Sequence, residues 1–299
     1  MKGGFKKTPS CYGFTIIEIM IFLAVSGLMF IVAAEFINNK VPQTEFTQGM
    51  NSANSEIQTI INNVSNGNYP IPPGGLSFSC GGIPVTLTSS TNPSNGTAGC
   101  SFIGKVLMPQ TNINNSQYGL VDVAGCQYVS SVSISNCSSN SGIIPESIYQ
   151  EQPVALTQSV QYKNWSGGID ITGLYYARSG SSPLVYKKIG AIGFFGSLPI
   201  NNSGVLVADA QVASIVILPN TSLGNPVGTI IGDINDIGSP ASGTSYGQLL
   251  GSGKVVMCFV GAINKGPNKE VGSITIGSSL GGEQLTTNLE LGQGVSSQC

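Results

Sequence analysis

The sequence predicts an α+β protein, in which a long N-terminal α-helix precedes a β-rich globular head that is stapled by disulfides. The helix is predicted by an apolar run over 14–36 and by an amphipathic pattern over 37–66. The head is predicted by short apolar segments over 67–299, which are divided by Gly, Pro, Asn and Ser. Most of these segments are typical of antiparallel sheet.

The first half of the predicted helix is apolar enough to enter a membrane. Residues 14–34 hold one charged side chain, Glu18, and as a helix they would span about 30 Å, one hydrocarbon thickness. Lysines precede this run at Lys2, Lys6 and Lys7. Because positively charged flanks remain in the cytoplasm, we expect a single-pass membrane protein with its N-terminus inside and its head outside.

Three residues at the start of the apolar run form a spaced motif: Gly13, Phe14 and Glu18. In the identity and spacing of these three residues, the segment resembles the N-terminus of proteins of the type IV pilin and pseudopilin family. The resemblance implies that residues 1–13 are a leader, removed after Gly13 by a prepilin peptidase that also N-methylates Phe14. It further implies that Glu18 meets the new amine of a neighbouring subunit and guides the register of subunits in a filament.

The same resemblance implies a structural function and a set of partners. The mature chain would be a non-enzymatic subunit of a type IV pilus-like filament on the surface of a bacterial or archaeal-type cell. The 233 residues of 67–299 favour a minor or tip pilin. Implied partners are other pilin subunits, the peptidase and N-methylase, an assembly ATPase, a platform protein, and the membrane before assembly. Two alternatives stay open: an adhesin or binding module for a surface or host ligand, and a pseudopilin of a type II-like secretion system.

Other interpretations of the apolar run leave its glutamate without a role. A secretory signal peptide could be cleaved after the small residues of 32–34, and an uncleaved anchor would need only the length of the run. Neither explains Glu18. The chain also departs from many major pilins, since Glu35 stands where they carry a proline late in the apolar stretch, and the first proline of the helix is Pro42.

The second half of the predicted helix carries one apolar seam. Its members recur with spacings of three and four residues, which predicts a helix that packs against something. We expect the helix to end at Asn66-Gly67 and to bend or melt locally at Pro42, which cannot donate to the carbonyl of Asn38. The seam residues are Phe46, Met50, Ala53, Ile57, Ile60 and Val64.

The predicted strands of the head lie between turn residues. Ile169 and Ile171 alternate with Asp170 and Thr172, the period-two pattern of a half-buried strand. If the head has two domains, the stretch 135–147 is the expected boundary. The predicted strands are 102–108, 119–123, 154–162, 169–177, 185–195, 205–207, 212–218, 255–263, 272–276 and 285–291.

Cysteine usage fits an exported head. The chain has seven cysteines, and removal of the leader with Cys11 would leave six, enough for three disulfides. Fifteen pairings of six cysteines are possible, and we favour the sequential one. The predicted pairs are Cys80 with Cys100, Cys126 with Cys137, and Cys258 with Cys299.

No catalytic, metal or cofactor site is predicted. The chain has no histidine, which excludes histidine-based relays, and no phosphate-binding loop motif. The stretch 232–238, around Asp233, faintly resembles a calcium loop, but it lacks the distal glutamate and we predict an acidic turn. Lys187-Lys188 is the one basic pair of the head, too little for a nucleic-acid surface, so nucleic acid is not an expected partner.

Overall fold

A computed structural model describes the long N-terminal helix and most of the predicted strands. The helix, α1, covers Ile16–Ser65, 50 residues. The chain clusters into two compact units, Met1–Thr44 and Glu45–Cys299, and α1 contributes to both. The described residues are 13–66, 76–79, 86–89, 100–109, 115–126, 153–177, 186–196, 212–218, 226–237, 247–249, 253–261, 270–278, 285–292 and 299.

Helix α1 is continuous through Pro42, so the expected local melting of the helix there is wrong. Proline removes one backbone donor, while the hydrogen bonds of the neighbouring turns remain available to hold the helix. Beside it, the Thr44 hydroxyl donates to the carbonyl oxygen of Lys40 at 3.0 Å. The helix ends one residue before the predicted Asn66, whose N–H still donates to the Asn62 carbonyl oxygen at 2.9 Å.

The apolar seam of the second half of α1 is confirmed. All six predicted seam residues, from Phe46 to Val64, are buried, and Ile61 is buried beside them. The helix therefore forms part of the core of the second unit.

The larger sheet of the second unit is antiparallel and has seven strands. Their order is β11-β10-β9-β3-β4-β5, and β6 also pairs with β4. The bounds are β3 Cys100–Pro109, β4 Gln117–Cys126, β5 Val154–Ala155, β6 Gln161–Asn164, β9 Ala191–Gly196, β10 Val212–Leu218 and β11 Gly247–Leu249.

The smaller sheet has five antiparallel strands in the order β14-β13-β12-β7-β8. A separate antiparallel hairpin joins β1 to β2. The bounds are β1 Leu76–Ser79, β2 Thr86–Ser89, β7 Ile169–Ala177, β8 Tyr186–Lys188, β12 Lys254–Gly261, β13 Val271–Ser278 and β14 Leu285–Leu291.

One apolar cluster joins α1 to both sheets. Its members come from the α1 seam, from one face of the larger sheet, such as Leu107 and Phe194, and from the smaller sheet, such as Met257 and Ile274. A second cluster lies on the other face of the larger sheet, where a helix that we call α2, Pro226–Asp236, contributes Ile230 and Ile234. The larger sheet is therefore covered on both faces.

Most predicted strands are confirmed, two are broken, and β1, β2, β11 and one helix were not predicted. The predicted strand 154–162 is broken by a 3-10 turn at Thr157–Ser159, and 185–195 is broken at Ile189-Gly190. Helix α2 was not predicted, because its Gly, Thr and Ile content is poor for helix, although Pro226 suits a first helical position. The predicted strand 205–207 and the boundary at 135–147 lie outside the described residues.

The predicted disulfide between Cys258 and Cys299 is confirmed. Cys258 is buried in β12, and its Cα lies 5.2 Å from that of Cys299. The other two predicted pairs involve Cys80 and Cys137, which lie outside the described residues. The backbone register of β3 and β4 places position 100 opposite position 126.

Helix α1 and the turn after β6 approach each other closely at two glycines. Gly167, in the turn after β6, has a φ of 72°, and a Cβ added there would lie 2.5 Å from the Gly49 Cα. A Cβ added at Gly49 would lie 2.7 Å from the Ser166 carbonyl oxygen. Only residues without a side chain allow the backbones to approach this closely.

Polar contacts also join α1 to the strands and turns of the second unit, further along the helix. The Ser166 hydroxyl donates to the Ser52 hydroxyl at 2.6 Å, and Lys163 Nζ lies 2.7 Å from Glu56 Oε1. These two contacts follow the Gly49 approach at successive turns of the helix. On the smaller sheet, Gln58 Nε2 donates to the Thr287 hydroxyl at 2.9 Å.

Replacement of Gly167 by alanine is expected to destabilise the second unit by about 2 kcal/mol or more, because it combines a left-handed backbone conformation with a steric overlap. The denaturation midpoint of the full chain in detergent measures this. Gly232→Ala is the matched control, since its added Cβ meets nothing within 4 Å in helix α2. That change should stabilise by about 0.5–1 kcal/mol. Equal midpoints for the two variants would contradict the proposed contact.

Candidate functional site

The residues of the predicted N-terminal motif lie together at the start of α1. Gly13 and Phe14 precede the helix, and Phe14 is 82% exposed. A Cβ added at Gly13 would meet nothing within 4 Å, and its backbone does not adopt a left-handed conformation. The described fold therefore gives no steric reason for a glycine at this position.

Glu18 forms a capping box with Thr15. The Thr15 backbone N–H and hydroxyl donate to Glu18 Oε2 at 2.9 and 3.0 Å. In return, the Glu18 N–H lies 3.4 Å from the Thr15 hydroxyl oxygen, which can accept from it. This reciprocal arrangement satisfies donors at a helix N-terminus that have no partner inside the helix.

The capping box gives Glu18 a local role that the sequence reasoning missed. The signal was present, because a threonine followed three residues later by a glutamate, just before an apolar run, is the pattern of a capping box. A carboxylate also suits the positive end of the helix dipole. A membrane anchor alone can therefore account for Glu18, contrary to our expectation that only assembly needs it.

The capping box leaves part of the Glu18 carboxylate available. Among the described residues, both hydrogen bonds that the side chain accepts end on Oε2, so Oε1 has no partner there. The carboxylate is held against the first turn of α1, close in sequence to Phe14. Oε1 can therefore accept a further donor without loss of the cap.

Over residues 14–34, the surface of α1 is apolar on all sides except at Glu18. A helix of this kind is normally covered on all sides, either by lipid or by other helices. Of the described helices, α1 is the one long and apolar enough to cross a membrane, judged by length and composition. The exposed apolar side chains are Phe14, Ile16, Ile17, Ile19, Met20, Ile21, Phe22, Leu23, Val25, Leu28, Met29, Phe30, Ile31, Val32, Phe36 and Val41.

The stretch around Asp233 is helical, so the predicted acidic turn is wrong. It forms the C-terminal half of α2, and the Ala155 N–H donates to the side-chain oxygen of Asn235 at 2.9 Å. A helix spreads alternating oxygen ligands around its axis, which the linear loop pattern did not anticipate. Among the described residues, no group of three or more Cys, Asp or Glu side chains could hold a metal ion.

The surroundings of Asp233 disfavour its charged form. Its Oδ2 is buried and accepts no hydrogen bond from the described residues. Burial and, second, the neighbouring Asp236 carboxylate raise the pKa of Asp233 to about 6. Both carboxylates also lie at the negative end of the α2 dipole, which disfavours their charged forms.

The function of this site is inferred from the geometry and chemistry of its own residues. No protein-family model, no curated protein and no solved structure matches the chain.

Replacement of Thr15 by valine should loosen the first turn of α1, because Glu18 loses a donor and its own N–H loses an acceptor. Amide hydrogen exchange at Glu18 in detergent should be faster by roughly five-fold, the usual effect of a lost N-cap. Thr15→Ser keeps the hydroxyl and serves as the control, with wild-type exchange. Equal exchange in Thr15→Val and Thr15→Ser would rule out the cap.

Stability should depend on pH through Asp233. Its pKa is raised in the folded state, so its charged form is disfavoured there. The contribution to stability is complete below the unfolded pKa of about 4, and it is lost as pH rises through about 6. Asp233→Asn should therefore match wild type near pH 4 and raise the denaturation midpoint above it near pH 8. A variant that is no more stable than wild type at the higher pH would contradict this.

Proposed function

We propose that this chain is a structural, non-enzymatic subunit of a type IV pilus-like filament, whose mature form begins at Phe14. The observation that carries the proposal is the first unit of α1. Over residues 14–34 it combines an apolar surface on all sides with a single carboxylate, Glu18, four residues after a phenylalanine that follows a glycine. Lipid would cover this surface before assembly, and the helices of neighbouring subunits would cover it afterwards.

The glycine at position 13 supports processing. Nothing in the described fold requires a residue without a side chain there, because an added Cβ would occupy open space. Recognition by a peptidase of the residue before its cleavage site would explain the glycine instead. Cleavage after Gly13 would give Phe14 a positively charged amine.

The free oxygen of Glu18 supports a role in subunit register. In the proposed filament, Oε1 accepts from the Phe14 amine of a neighbouring subunit, while Oε2 keeps the capping box with Thr15. Removing both charges from water opposes the gain from pairing them, so net stabilisation is small. A slip of one step would leave both charges buried and unpaired, and this penalty selects the register.

The head favours a minor or tip subunit over a major one. The second unit, Glu45–Cys299, contains two large sheets, a separate hairpin and a second helix, which is a large head for the repeating subunit of a filament. Assembly would require partners that the chain does not encode. These are a leader peptidase with N-methylase activity, an assembly ATPase, a platform protein and other pilins.

Intact mass and N-terminal analysis of the membrane-extracted protein tests the processing. We expect a chain that starts at N-methylated Phe14. A chain that starts at Glu35 would identify a secreted protein and contradict the filament proposal. A chain that still carries Gly13 would identify an uncleaved anchor.

Glu18→Gln separates the two roles of this residue. Glutamine can keep the capping box, because its side-chain oxygen accepts the same two hydrogen bonds, but it carries no charge for the Phe14 amine. We expect the variant to be processed normally and to be lost from sheared filaments. Glu18→Asp, which keeps the charge, should retain part of the assembly. Wild-type incorporation of Glu18→Gln would show that Glu18 is a helix cap only.

A further inference from the structure

A lysine and an aspartate lie in contact inside the larger sheet. Lys105 in β3 and Asp122 in β4 are direct partners in the antiparallel register, and Lys105 Nζ contacts Asp122 Oδ1. The residues are 5% and 4% exposed. Neither is used by the N-terminal site.

Apart from the Ser159 hydroxyl, the described residues around the pair are mainly apolar. The positions two residues from the pair on the same strands point to the same face of the sheet. They are occupied by Leu107, Leu120 and Ala124, which belong to the apolar cluster that contains α1. The ring of Phe102 lies 5.5 Å from Lys105 Nζ. Such surroundings disfavour two separated charges. Consistent with this, burial raises the pKa of Asp122, although Lys105 and hydrogen bonds oppose the shift.

The backbone of Asp122 is fixed by the 3-10 turn at Thr157–Ser159. The Asp122 N–H donates to the Ser159 hydroxyl at 2.9 Å, and the Asp122 carbonyl oxygen accepts from the Leu156 N–H at 2.9 Å. The Ser159 hydroxyl donates in turn to the Leu156 carbonyl oxygen at 2.7 Å. These bonds fix the backbone that carries the carboxyl group, which lies beside the amine of the same molecule, so a reaction between the two groups would be intramolecular.

We propose that Lys105 and Asp122 condense to an amide that covalently joins β3 to β4. The pair first exchanges a proton, which gives a neutral amine and a neutral carboxylic acid. A bond then forms between Lys105 Nζ and Asp122 Cγ, and one Cγ–O bond breaks. The leaving oxygen takes the acid proton and one amine proton and departs as water, so no oxidant or other reactant is consumed.

The amide would replace a buried amine and a buried carboxyl group with one neutral group and would fix two adjacent strands inside the larger sheet. It would give the second unit a cross-link that does not respond to reducing agents, in addition to the disulfide between Cys258 and Cys299. The inference does not depend on the proposed filament function, since it rests on residues of the second unit alone.

The intact mass of the full-length, reduced and denatured protein tests the inference. We expect a mass that is lower, by one water, than the mass of the chain with its measured ends. After digestion, the same loss should be found in one branched peptide that contains parts of β3 and β4. A lysine-specific protease should fail to cleave after Lys105.

Lys105→Arg is the matched control, because arginine keeps the positive charge beside Asp122 but its guanidinium does not lose its proton to become a nucleophile. This variant should have the full mass. A wild-type protein of full mass, cleaved after Lys105, would overturn the inference without the need for any variant. A loss of water that persists in Lys105→Arg would place the reaction elsewhere and would overturn it too.

Discussion

The apolar surface of α1 is the constraint on which the rest of the structure depends, and its pattern changes along the helix. From Phe14 to Phe36 large apolar side chains are exposed on all sides of the helix, whereas from Phe46 to Val64 they form one buried seam. The second part is satisfied within the chain, by the two sheets that share its core. The first part requires lipid or other helices, and this requirement supports the proposed filament more directly than any feature of the sheets.

Much of the fold could be predicted from local patterns. The seam of α1 and strands such as Ile169–Ala177 were predicted because burial repeats with the period of the element. Helix α2 was not, because packing of Ile230 and Ile234 on the larger sheet overrides a poor helix composition. The approach of Gly49 to Gly167 was also beyond prediction, since nothing local indicates which distant glycine faces another.

Three residues of the candidate site were predicted from the sequence, but the hydrogen bonds of the capping box were not. The spacing of Gly13, Phe14 and Glu18 predicts their place in the site. Thr15 was not predicted, although its separation of three residues from Glu18 fits a capping box. The buried partner of Lys105 could not be read from sequence, because strand register decides it. Glu18 caps its own helix, and its proposed pairing with the amine of a neighbouring subunit is compatible with that cap.

Photo-crosslinking from the exposed face of α1 tests the proposed filament most directly. A photoreactive side chain at Leu28, introduced into the full chain in its native cells, should crosslink to other pilin-like helices in the sheared filament fraction. The same side chain at Tyr162, an exposed position of the second unit, is the control and should not give those products. Crosslinks from Leu28 to lipid alone, with no protein adduct in any fraction, would contradict the proposal and leave α1 a membrane anchor.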